Sequence, residues 1–161
     1  MIHAYISSRL DYCNSLYTNL PESTLRPLQV SQNFAARILL RKRKFCHITP
    51  LLIKLHWLPI KARVEYKILL LTFKVLKGSA PKYLSSLLSF YTPSRYLRSS
   101  NSTKLFKPKT KLTSMGDRAF SVAAPIFWNS LPSSIRSITT LTSFKQNIKT
   151  YLFRKHFKLK N

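Results

Sequence analysis

The stretch TPLLIKLHWLPIKARVEYKILLLTFKVLKG, residues 49–78, decides the fold. Thr49-Pro50 reads as an N-cap with Pro at the first helical position, which predicts a short helix over Pro50 to His56. Pro59 opens a second and longer helix. Ile60, Val64, Ile68, Leu71 and Val75 recur at helical spacing as a core stripe, with Arg63, Lys67, Lys74 and Lys77 off it and Gly78 as the stop. Between the two, His56-Trp57-Leu58-Pro59 makes a helix–helix junction in which the indole packs and the proline fixes a corner.

Outward from this corner the chain continues as helices punctuated by proline. Residues 2–18 read as a helix through Ile2, Tyr5, Ile6, Leu10, Cys13 and Leu16, closed by Pro21. It starts with no capping residue, as a chain cut inside a larger domain would. A helix over 23–42, its first turn broken or kinked by Pro27, places Leu28, Ala35, Ile38 and Leu39 on one face and runs into a block of four basic residues. Pro81 starts a short helix to about Leu88. From 89 to 114 Ser, Thr, Lys and Pro dominate, which reads as a loop with one short strand or hairpin around Lys104 to Lys107. Asp117 then caps a helix to Asn129, bent at Pro125. The last helix covers Thr142 to His156 with Phe144, Ile148, Tyr151 and Leu152 inward.

The fold class expected is mainly α: a small helical bundle with a basic Ser/Lys/Pro-rich loop or short hairpin around 89–114. The expected division is 1–88 helical, 89–114 loop or linker, and 115–161 a C-terminal helical segment. An apolar content of 45% suffices for a core, and 2 Gly against 9 Pro suits helices better than a sheet with tight turns. The longest apolar burst, near Ile68 to Leu71, is far short of a membrane span, and no helix joins a wide apolar face to Trp anchors, so no membrane role is expected. No secretory signal opens the chain, and two cysteines define no disulfide framework. The expectation is an intracellular protein with free thiols, nuclear or cytoplasmic.

Charge restricts function most. Lys and Arg number 28 against 4 Asp and Glu, a net charge of +24, and no Asp or Glu follows Asp117. Such a surface repels itself unless a polyanion is bound, and nucleic acid is the first candidate. The same count excludes catalytic classes. Two-metal phosphoryl transfer needs carboxylates clustered about two cations roughly 4 Å apart. Asp11, Glu22, Glu65 and Asp117 are separated by 11, 43 and 52 residues and form no such cluster in sequence. A glycosidase pair fails for the same reason. Cys13, Cys46, His47 and His56 lack the spacing of a zinc site, and neither Gly opens a phosphate loop. No catalytic residue, metal or cofactor is expected.

What remains is basic residues interleaved with aromatics. The candidate nucleic-acid-binding residues are Arg41, Lys42, Arg43 and Lys44; Lys104, Lys107, Lys109 and Lys111; Arg118; and Lys149, Arg154, Lys155 and Lys158. Lys61 to Lys77 forms a further basic stretch. Alternate lysines in an extended segment point one way at about 7 Å, close to the phosphate repeat of one strand. With no base-reading motif, backbone and shape recognition is expected.

Four strings carry a resemblance. SRLDYCNSLYTNLP (8–21), the segment from Leu28 to Leu84 that includes HWLP, GDRAFSVAAPIFWNSLP (116–132) and SFKQNIKTYLF (143–153) are similar to the C-terminal region of non-LTR retrotransposon (LINE-type, jockey-like) reverse transcriptases. That region corresponds to the thumb and C-terminal extension, which follow the palm with its YxDD signature. The resemblance implies a thumb-like role for residues 1–88 and a partner that is RNA or an RNA–DNA duplex, held by its backbone. Fingers, palm and YxDD are missing from these residues, so no catalytic role carries over. HWLP, Trp128, Leu131 and Pro132 read first as packed corners, whereas Arg118 is free to meet a phosphate. Two alternatives stand beside this: a relic with no biochemical role, and a domesticated module that binds a protein partner on apolar faces left uncovered.

Overall fold

A computed structural model of the chain describes residues 3–93 and 103–158. Ile2, the 94–102 part of the Ser/Lys/Pro-rich loop and Lys160 lie outside the described residues. The chain is mainly α, as expected, with no β-strand among the described residues. In order come α1 (Ser8–Asp11), α2 (Glu22–Leu39), α3 (Ile48–Lys54), α4 (Ile60–Leu76), α5 (Lys82–Ser85), α6 (Thr113–Gly116), α7 (Phe120–Asn129), α8 (Ser133–Arg136) and α9 (Leu141–Phe157).

Proline writes several of the starts. Pro21, Pro81 and Pro132 sit just before α2, α5 and α8 with nearly one geometry, φ −55 to −57° and ψ 146 to 148°. Each carbonyl accepts the first bond of its helix, from Thr24, Leu84 and Ile135 at 3.0, 3.0 and 3.1 Å. Proline has no N–H to leave unpaired there. The sequence reading missed α8, which uses the same device.

Two compact units form. One comprises residues up to Tyr66 together with those from Lys149 onward, the other Lys67–Ile148. The divisions thus fall within α4 and α9, and differ from the expected segments ending at 88 and 114. The end of α9 belongs to the first unit because Phe157 packs against the buried cluster Ala35, Ala36, Leu52 and Trp57.

In the first unit a second cluster joins Leu10, Leu25 and Ile60, with Tyr17, Leu20 and Leu28 at its edge. The long first helix expected over 2–18 is broken: a π-helical turn (His3–Ser7) leads into α1, and a 3₁₀ turn (Asn14–Tyr17) follows. Cys13 interrupts them with a left-handed φ of 48°. As a result Leu10 is buried while Tyr5, Cys13 and Leu16 are exposed. On α2 the buried positions are Leu25, Gln32, Ala35 and Ala36, whereas Ile38 and Leu39, placed by periodicity on one face with Ala35, are exposed.

The His-Trp-Leu-Pro corner is fastened from α2. Gln32, fully buried, donates from Nε2 to the Leu58 carbonyl at 2.8 Å, and Gln29 Oε1 accepts from the Ile60 N–H at 2.9 Å, capping α4. Helix α3 is shifted two residues earlier than expected. It ends with His56 at a left-handed φ of 51° and a Trp57 N–H to Leu52 carbonyl bond of 2.9 Å. Arg63, expected on the basic face, turns instead to this corner. Its Nη1 reaches both Asp11 oxygens at 2.7 and 2.8 Å, its Nε donates to the Leu58 carbonyl at 3.1 Å, and its guanidinium lies 5.9 Å from the Trp57 ring.

Helix α4 buries more than the single stripe. Ala62, Glu65, Leu69, Thr72 and Phe73 are buried with Ile60, Val64, Ile68 and Val75, and Leu71 is only half-buried. In the second unit Phe73 stacks on Phe144 at 4.2 Å, and Trp128 lies 5.9 Å from the same ring. Val122, Ala123, Ala124 and Ile148 are buried there too.

Candidate nucleic-acid interface

The Ser/Lys/Pro-rich segment is held down at two places in the second unit. At the first, Phe90 and Leu105 form an isolated antiparallel bridge, with Tyr91 N–H donating to the Lys104 carbonyl at 3.0 Å and Phe106 N–H to the Ser89 carbonyl at 2.9 Å. Opposite this bridge, α7 supplies side chains in place of a second strand. Asn129 accepts from the Leu105 N–H at 2.9 Å and donates to the Leu105 carbonyl at 2.8 Å, and Trp128 Nε1 donates to the Thr103 carbonyl at 2.8 Å. Leu105 itself is buried at 2% exposure.

At the second place Thr110 Oγ1 donates to Asp117 Oδ1 at 2.9 Å. Thr110 also lies so close to Gly116 that a Cβ added there would meet the Thr110 Cβ at 2.8 Å. A residue with a side chain at 116 would push the segment away. Asp117 therefore does not begin α7, whose first residue follows Ala119; it sits at the end of α6 and anchors the basic segment.

Around these anchors the lysines face out. Lys104, Lys107, Lys109 and Lys111 are all exposed, and Pro108 and Thr110 between the last three are half-buried. Alternation along an extended chain puts those three lysines on one side. Arg118, expected free for a phosphate, is half-buried, and its Nε is a buried atom with no hydrogen-bond partner.

The other candidates lie in the first unit. Arg41, Lys42, Arg43 and Lys44 occupy an exposed loop that leaves α2 through a left-handed Arg41 (φ 50°), closed by the Lys42 N–H to Arg37 carbonyl bond of 2.9 Å. Phe45 follows at 93% exposure. On α9 Lys149 and Arg154 are exposed, as is Lys158 just beyond it. Lys155 is exposed too, with its Nζ 2.6 Å from Glu65 Oε1, and His156 Nε2 lies 3.4 Å from Oε2. Glu65 is 5% exposed. Burial pushes its carboxyl up, but hydrogen bonds from His156 and Lys155 and their charge outweigh that and hold it below the ordinary value.

Among the described residues no three of His, Cys, Asp and Glu gather as metal ligands, and no helix is long and apolar enough to cross a membrane. No protein-family model, curated protein or solved structure matches this chain. Sequence reasoning found the lysines but missed the groups beside them, Phe90, Tyr91 and Phe106, all exposed. The available signal was the interleaving in Lys104-Leu105-Phe106-Lys107, one apolar residue turned in and its neighbours out.

Proposed function

We propose that this chain is the thumb and C-terminal-extension part of a non-LTR retrotransposon reverse transcriptase, acts inside the cell, and holds RNA or an RNA–DNA duplex by its phosphate backbone without a polymerase centre of its own. The observation that carries the reading is the display of Lys104, Lys107, Lys109 and Lys111 on a segment anchored at Leu105 and Thr110, in a chain of net charge +24. Cations ordered before binding lose less entropy when phosphates arrive. Of the four carboxylates, Asp11 pairs with Arg63 and Glu65 with Lys155, Glu22 is exposed on α2, and Asp117 accepts from Thr110 on the basic segment itself.

Electrophoretic shift of RNA and of an RNA–DNA hybrid across a salt series tests it. If about six phosphates are neutralised, log K falls against log salt with a slope of roughly −5. Affinity no higher than that of an unrelated protein of equal charge, at about 150 mM salt, overturns the reading.

One observation favours a domesticated protein-interaction module. Val30, Phe34 and Ile38, four residues apart on α2, are each at least half exposed and make an apolar row. A specific protein that co-purifies after nuclease treatment, and is lost on Phe34→Asp, supports that second reading.

A further inference from the structure

We propose that the anchored segment is a binding site for single-stranded nucleic acid, in which unpaired bases stack on Tyr91 and Phe106 while Lys104, on the same face, takes the adjoining phosphate. The proposal rests on the nucleic-acid reading above and goes beyond it, from backbone contact with a duplex to capture of exposed bases.

Two exposed aromatics share one face here, Tyr91 at 50% and Phe106 at 48%, whereas Phe90, 58% exposed, stands directly opposite Leu105 and so on the other face. Aromatic rings are ordinarily the best core material a chain has, so two left exposed on one face of an anchored segment call for a ligand. Their placement comes from backbone bonds across the bridge, Tyr91 to Lys104 and Phe106 to Ser89. Because Leu105 turns into the core, its neighbours Lys104 and Phe106 project to the other side. Lys104, exposed, thus lies on one face with Phe106, while Lys107, also exposed, follows on the other. An aromatic plane beside a cation is the arrangement that binds a single strand: every base has a π-face, and each is followed by a phosphate. A duplex offers no free base face to such rings.

Charge decides against a protein occupant of ordinary composition. The nearest carboxylate in sequence, Asp117, accepts from Thr110, and no Asp or Glu follows it. The surface asks for a partner that is both anionic and aromatic, which unpaired nucleotides are.

The test compares a labelled oligouridine with a duplex of matched phosphate count by fluorescence anisotropy, using the full chain. Tyr91→Leu with Phe106→Leu keeps apolar bulk and removes the π-faces. The expected result is a loss of about tenfold or more in single-strand affinity, with duplex affinity unchanged. Stacking is read separately by quenching of a 2-aminopurine in the oligonucleotide, which the double variant should abolish. A thermal melt superimposable on wild type shows that the variant is folded, and Tyr91→Leu alone serves if it is not. Equal single-strand affinity in wild type and variant, with duplex binding intact, overturns this proposal and leaves the duplex reading standing. Loss of self-association in sedimentation with no change in oligonucleotide affinity also overturns it, and assigns the patch to protein docking. Absence of binding to either oligonucleotide by wild type sinks the functional reading itself.

Discussion

The side-chain amide of Asn129 pairs with both backbone groups of Leu105, accepting from its N–H at 2.9 Å and donating to its carbonyl at 2.8 Å. One helical residue thereby does the work of a neighbouring β-strand. Asn is suited to this because its amide repeats the donor and acceptor of a peptide group. Asn129→Ala leaves both groups of a buried residue unpaired and should destabilise the fold by about 1–3 kcal/mol. Urea unfolding measures this, and faster exchange of the Leu105 amide locates it. An unchanged midpoint would show that water replaces the side chain at no loss.

Gly116 gives a prediction of sign. Ala in a helix ordinarily gains up to about 1 kcal/mol over Gly. Here the new Cβ would come within 2.8 and 2.9 Å of Thr110 Cβ and Cγ2. Gly116→Ala should therefore destabilise, by about 1–3 kcal/mol, as overpacking does. Thermal melts of Gly116→Ala alone and with Thr110→Gly decide the point, since removing the threonine side chain should return the normal helical gain.

Asp11 and Arg63 make an ion pair whose halves are unequal. The Asp11 side chain is 49% exposed and the Arg63 side chain 13%. Solvent screens the aspartate, so Asp11→Asn should lose under about 1 kcal/mol. Arg63→Ala also forfeits the Leu58 carbonyl bond and the Trp57 contact, and should lose about 1–3 kcal/mol. Denaturant midpoints of the two variants test the ranking, and equal losses would contradict it.

The buried Glu65 sets an acid dependence. Its folded pKa lies below the ordinary value, so its contribution is present above the unfolded carboxylate range near pH ~4.3 and lost as pH falls through the folded value. Glu65→Gln should be less stable than wild type at neutral pH by about 1–3 kcal/mol, a range discounted for the half-open Lys155 partner. The gap should close toward pH ~3. Melting temperatures of both proteins across this range measure it, and a constant gap would mean that packing, not charge, is lost.

How much was legible follows from how local each signal was. The 3.6-residue recurrence of Ile60, Val64 and Ile68, and of Phe144, Ile148 and Leu152, placed α4 and α9 because a helix repeats its face whatever surrounds it. Pro59 and Pro81 marked starts for an equally local reason. Cys13 defeated the reading of the first helix, since its left-handed φ of 48° leaves no pattern in residue types. Periodicity put Ile38 and Leu39 on one face with Ala35, yet Ala35 is buried and they are exposed.

The strings 8–21, 28–84 and 116–132 hold the fasteners: Asp11, Gln29, Gln32, Arg63, Gly116, Asp117, Trp128 and Asn129. Composition and spacing alone determined a mainly helical, strongly basic chain and the list of its candidate lysines, since charge and period are properties of residues taken singly or in short runs. Tertiary structure decided which cations are paired. Arg63 and Lys155 are bound to carboxylates 52 and 90 residues away, whereas Lys104 to Lys111 are set outward by α7 and the turn before it. Such pairings join residues that only folding brings within hydrogen-bond reach, and no local pattern encodes them.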